Sequence, residues 1–138
     1  MEENFDSKPQ RAAPDIRERT VGYAVRAIEL HRFVQRGKDG AGRIIAKQYL
    51  RAATSIGANV EEAHSGESRA DFIHKLGIGQ KEARECSYWL RIMADSKIVS
   101  SQRLAAIRRE TEEIYAVLTA IIVNAKGKSK TQAQVLGG

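Results

Sequence analysis

Two carboxylate–histidine pairs, Glu61-x-x-His64 and Asp71-x-x-His74, have the spacing that most directly suggests chemistry. Glu-x-x-His is how two helices of a di-metal bundle each supply inward ligands, completed at mid-bundle by single Glu ligands from the other two helices. Both pairs here flank one turn near residue 66, and the apolar stripes of the first and last helices carry no inward Glu. They are read as surface histidines beside surface acids, so no metal and no cofactor is expected. Cys86 falls within an apolar stripe and is expected as a small buried core residue. Asn59 and Glu62 stand three apart beside the stripe of their helix. They are either a polar brace at the helix end or an inter-subunit hydrogen-bonding pair. No Ser-His-Asp arrangement, phosphate-cradling glycine loop or zinc spacing occurs. No catalytic residue is therefore expected, and a di-metal bundle enzyme is the remote alternative.

The basic residues are arranged as well as numerous. Arg43, Lys47 and Arg51 follow one another at i, i+4, i+8; Lys81, Arg84, Tyr88 and Arg91 follow at spacings of 3, 4 and 3. Arg103, Arg108 and Arg109 stand further on. Basic side chains with an aromatic among them have the composition of a surface that tracks a phosphate backbone and stacks a base. The competing reading is a solvated face whose charges pair with Glu82, Glu85 and Glu110. At the level of function the rival is a structural protein-interaction module without nucleic-acid binding, and a salt-sensitive affinity for generic RNA or DNA separates the two.

These residues must be positioned by helices. Only Pro9 and Pro14 interrupt the chain, so everything from Asp15 onward is free of the residue that breaks helices. Apolar residues then recur at helical spacing in four segments, expected near 15–36, 43–64, 69–96 and 101–124. The third runs Phe72, Leu76, Gly79, Ala83, Cys86, Leu90, Met93 and the fourth Leu104, Ile107, Thr111, Ile114, Leu118, Ile121, Ala125. Both alternate by three and four, the seam of a helix packed along its length. A glycine run over 37–42, Ser65-Gly66-Glu67 and Asp95-Ser-Lys separate the segments, and Ser68 with Asp71 resembles a capping box. Connections this short imply an all-α, up-down-up-down antiparallel four-helix bundle over 15–124. Residues 1–14 are expected as a flexible arm and 125–138 as a basic flexible tail. Phe72, Leu76, Ala83, Cys86, Leu90, Met93, Ile107, Ile114, Leu118 and Ile121 are the expected core. Gly22, Gly57, Gly77 and Gly79 lie inside helices, where each costs about 0.8–1 kcal/mol against Ala. Gly57 and Ala53 are expected to face 75–79, so that Gly79 in the seam lets the second and third helices approach closely. Gly77, off the seam, suits a second close contact, such as one with another subunit.

Composition bounds the rest. The 138 residues make one domain, with 42% hydrophobic and 29% charged residues and a net charge of +6. Residues 1–14 carry −1, 15–123 carry +4 and 124–138 carry +3. A basic domain with a basic tail fits a polyanionic partner. The longest charge-free run, 114–125, is short of the roughly 20 residues a membrane span needs. The acidic start has no apolar stretch behind it and is not a secretory signal. A lone cysteine makes no internal disulfide, so the cytoplasm is the expected compartment. The first helix is apolar on more than one side, through Val21, Tyr23, Ala24, Val25, Ala27, Ile28, Leu30, Phe33 and Val34, and the fourth adds Val117 and Ile122. Surplus apolar surface marks an interface, and a homo-oligomer is expected.

The stretches Arg51-Ala-Ala-Thr-Ser-Ile-Gly-Ala-Asn-Val-Glu-Glu-Ala63, Ser68-Arg-Ala-Asp-Phe-Ile-His-Lys-Leu76 and Lys81-Glu-Ala-Arg-Glu-Cys-Ser-Tyr-Trp-Leu90 closely resemble bacterial four-helix bundle proteins. These are the ribosomal-RNA intervening-sequence proteins, and the resemblance spans about 15–124. Many of them have Pro where this chain has Gly57, and Ala-Glu-Gly where it has Glu61-Glu62-Ala63. The chain is also similar to the accessory protein of diversity-generating retroelements, a basic pentameric bundle. The resemblance implies a left-handed bundle, assembly as a pentamer, no enzymatic activity, and RNA, DNA or a reverse transcriptase as partner. It also implies inter-subunit roles for Asn59 and Glu62.

Overall fold

The computed structural model describes residues 15–66 and 68–137, with side chains described as far as Lys128. Among these residues there are four α-helices and no strand: α1 (Ile16–Gln35), α2 (Gly40–Ser65), α3 (Arg69–Asp95) and α4 (Ser101–Gly137). A side chain caps each helix start. Asp15 accepts from the Arg17 N–H at 2.9 Å, Asp39 from the Gly42 N–H at 3.1 Å, Ser68 from the Asp71 N–H at 3.0 Å and Ser100 from the Arg103 N–H at 3.2 Å. The Asp39 cap is why α2 begins at Gly40, inside a glycine run expected to be loop. Helix α4 continues past Asn124, where its end was expected, as far as Gly137. No proline follows to stop it, and Gly127 alone costs only about 1 kcal/mol. The helix thus reaches into the expected tail, 125–138, while the expected arm, 1–14, lies outside the described residues.

The α3–α4 turn closes in a way that normally calls for glycine. Lys97 takes φ 63°, the left-handed region. Around it the Lys97 N–H donates to the Ala94 carbonyl at 3.1 Å and the Ile98 N–H to the Met93 carbonyl at 3.0 Å. This pattern satisfies carbonyls that the end of α3 would otherwise leave open.

Links of three to five residues force each helix to run antiparallel to the one before. Helix α2 packs on α1 and, most extensively, on α3; α3 packs on α4; α1 and α4 meet sparsely. Two glycines allow the close approaches. A Cβ on Gly79 would lie 3.5 Å from the Ile56 carbonyl oxygen, so α3 rests against the backbone of α2. A Cβ on Gly57 would meet Thr20 Oγ1 at 3.2 Å. Gly57 therefore serves the α1–α2 contact, not the α2–α3 contact expected of it.

Leu76, Ala83, Cys86, Leu90, Met93, Ile114 and Leu118 are buried in one core with Tyr23, Tyr49, Ile56 and Val60. Three expected core residues are only half-buried: Phe72, Ile107 and Ile121. Phe72 sits near the α2–α3 turn with its ring against that of His64, and Ile107 lines the sparse α1–α4 side. Ile122, expected to face a partner, takes the core position instead of Ile121. A stripe that strictly alternates three and four drifts on a straight helix of 3.6 residues per turn, and this slip is the result.

Polar residues from three helices form a chain within the core. The Tyr49 hydroxyl donates to Tyr23 Oη at 3.0 Å, and Tyr23 and Thr111 oxygens are 2.6 Å apart. Thr111 gives its one hydrogen to the Ile107 carbonyl at 2.7 Å, so Tyr23 must be the donor to Thr111. The Cys86 thiol of α3 completes the group beside Tyr23, its pKa pushed up to about 12 chiefly by burial. Burial likewise raises both tyrosines above the ordinary phenol range. Every group in the cluster is held neutral at physiological pH.

Candidate nucleic-acid interface

The α2–α3 seam consumes part of the expected basic surface. Arg51 ion-pairs with Glu85 and lies 3.7 Å from Glu82 Oε1. The Trp89 indole donates to Glu85 at 2.9 Å. That hydrogen bond, with Arg51 adding to it, holds the Glu85 carboxyl below its usual range. Glu82 goes the other way. Its Oε1 is buried without a hydrogen bond, since 3.7 Å is too long for one, and burial outweighs Arg51 to raise the carboxyl.

The remaining members of the two rows separate. Arg43 donates to the Gly37 carbonyl and fastens the α1–α2 link. Arg84 folds onto α4, with its guanidinium 5.2 Å from the Tyr115 ring centroid and a hydrogen bond to the Tyr115 hydroxyl. Arg91 is exposed and pairs loosely with Asp95 at 3.4 Å. Lys47, Lys81 and Tyr88 are exposed, and Tyr88 packs edge-on against Trp89. The rows on α2 and α3 therefore do not merge into one free strip. Pairing with Glu82 and Glu85 is real for Arg51, whereas Glu110 pairs with Arg19 and Arg26 of α1.

The residues singled out as structural also part company. Asn59 Nδ2 donates to the Ser55 carbonyl at 2.8 Å on its own helix. Glu62 is exposed, and no hydrogen bond joins it to Asn59 among the described residues. A Cβ on Gly77 would meet nothing within 4 Å, so nothing within the described chain crowds that position.

Folding back the chain produces a feature that counting along it hides. The α1–α2 and α3–α4 links share one end of the bundle, bringing together residues 26–51 and 84–110. That half holds thirteen Lys and Arg against five Asp and Glu. The other half, residues 15–25, 52–83 and 111–128, holds seven against nine. The bundle is electrically polar along its axis, and Arg32, Arg36, Lys38, Lys97 and Arg103 form no ion pair among the described residues. The signal was present in the sequence, since 26–51 alone carries seven basic and two acidic residues, but the antiparallel fold is what sums it with 84–110.

Phe33 stands at this basic end, 38% exposed. The Arg103 guanidinium lies 4.8 Å and that of Arg36 5.8 Å from its ring centroid. Of the residues facing the α2–α3 turn, His64 Nδ1 contacts the Val60 carbonyl at 2.9 Å. Among the described residues no three His, Cys, Asp or Glu side chains converge to hold a metal. No described helix is long and apolar enough to cross a membrane.

The architecture has a known counterpart. A crystallised protein of unknown function from the S23 ribosomal protein family of Bacteroides thetaiotaomicron superposes with a TM-score of 0.71 at 36% sequence identity. The match covers 78% of this chain and 98% of that one. No curated protein matches the chain. The model of the 23S rRNA-intervening sequence protein family matches residues 20–120, most of the four-helix bundle. With its α2 and α3 motifs packed as described, the chain belongs to the 23S rRNA-intervening sequence protein family.

Proposed function

We propose that this chain is a non-enzymatic accessory protein of the cytoplasm that assembles with copies of itself and binds nucleic acid through its basic end. The observation that carries the reading is the charge polarity: thirteen basic against five acidic residues gathered at the end of the bundle that bears two of its links. Phosphate contacts supply most of the affinity of such a surface. Arg43, Lys47 and Arg91 extend the surface down the helices, with Lys81 and Tyr88 beyond, while Arg51 and Arg84 join only by leaving their present partners. Val21 and Val25 of α1 are 56% and 51% exposed, which supports self-association through α1. Five copies of a +6 chain would carry about +30 on one ring and bind by avidity even where each site is weak.

The test is the salt dependence of binding to a labelled 20-nucleotide strand. An affinity that falls linearly on logarithmic axes, with a slope near −0.7 per phosphate neutralised, is expected. No binding at low salt, or an affinity indifferent to salt, would overturn the proposal and favour a protein-interaction module.

A further inference from the structure

The ring of Phe33 divides two half-open hollows at the basic end. One, of about 380 Å³, is lined on the α1–α4 side by Leu30, Val99, Leu104 and Ile107 together with Phe33. The other, of about 370 Å³, lies over the α1–α2 link between Phe33, Arg36, Gly37 and Ile98. The first exists because α1 and α4 meet sparsely. Farther toward the opposite end, the ion pairs of Arg19 and Arg26 with Glu110 and Glu113 hold the two helices together; beyond them the edge is open. Two guanidiniums without carboxylate partners among the described residues lie over one partly exposed aromatic ring, with a mainly apolar hollow on each side, Glu29 and Glu110 also lining the first and Asp39 the second.

From this arrangement we infer that Phe33, with Arg36 and Arg103, is a stacking subsite for an unpaired base of a single-stranded nucleic acid. The inference rests on the function proposed above and adds to it the strandedness of the ligand. Charge complementarity selects the occupant. A second copy in a two-fold, end-to-end pair would bring another basic end against this one, and a head-to-tail copy over the ring would show as a change of mass in Phe33→Leu, whereas a strand offers a phosphate to each guanidinium and an aromatic face to the ring. A duplex keeps its bases stacked inside and has no such face to offer.

Two probes of equal length separate the parts: an oligodeoxynucleotide of twenty thymidines, and the same strand carrying abasic sites throughout its central ten positions. The intact chain is expected to prefer the base-bearing strand about tenfold. Phe33→Leu keeps the residue apolar and is expected to erase that preference while leaving affinity for the abasic strand unchanged. Phe33→Trp is the second variant, and its added emission is expected to be quenched by the base-bearing strand only. A preference that survives Phe33→Leu, or equal quenching by both strands, would overturn the subsite. So would a Phe33→Leu chain whose mass by light scattering differs from the parent, because that assigns the ring to a contact between copies. Salt-sensitive binding of the abasic strand in any of those cases leaves the proposed function standing. Failure of both strands to bind overturns both.

Discussion

Tyr23 sits among groups from the three other helices, and its hydroxyl has one hydrogen to give. It gives it to Thr111 and accepts one from Tyr49, so the chain of donors has a single direction ending on the Ile107 carbonyl. Removing the middle member strands the Tyr49 hydroxyl in the core. Tyr23→Phe is expected to cost about 1–3 kcal/mol by urea titration, the penalty for an unsatisfied buried polar group. Tyr49→Phe leaves Tyr23 with its own hydrogen still placed on Thr111 and is expected to cost less. The double variant should be no less stable than Tyr23→Phe alone, since no stranded hydroxyl remains. Strict additivity of the two single changes would contradict donation from Tyr49 through Tyr23 to Thr111. None of this was legible in the sequence. Tyr23 was visible only as one of the apolar residues of the first helix, and only the packing shows that its hydroxyl meets that of Tyr49.

At the scale of the helices, number and order were legible because apolar residues recur by threes and fours without a proline after Pro14. The ends were less so. The Asp39 cap lies within a glycine run that reads as loop, and α4 passes Asn124 because nothing follows that a helix must stop for. The α3–α4 turn was seen as a break, but its left-handed residue was not, because that position is filled by Lys97 rather than glycine. A side chain in that conformation costs about 1 kcal/mol that glycine avoids. Lys97→Gly is therefore expected to raise stability by about 0.5–1 kcal/mol, less the entropy glycine adds to the unfolded chain. Thermal unfolding at matched concentration checks it, and a loss of stability would contradict the turn geometry.

For the whole molecule, the proposed function stands on one end of the bundle being a site for polyanions. The expected site residues on α2 and α3 are linked only by spacing within single helices, and spacing is blind to what a neighbouring helix supplies. Arg51 met Glu82 and Glu85, and Arg84 met Tyr115, whereas Arg32, Arg36, Lys38, Lys97 and Arg103 acquired common ground only when two links came together. The decisive comparison is between two triple charge reversals that change net charge equally. One is Arg32→Glu, Lys38→Glu and Lys97→Glu at the basic end; the other is Arg69→Glu, Lys75→Glu and Lys126→Glu toward the opposite end. Binding of a 20-nucleotide strand is read across a salt series. The first variant is expected to lose at least tenfold in affinity, with a salt slope shallower by about 2, as three lost phosphate contacts require, while the second keeps the parent slope. Equal losses in both variants would show that only total charge matters and would contradict a site at the basic end.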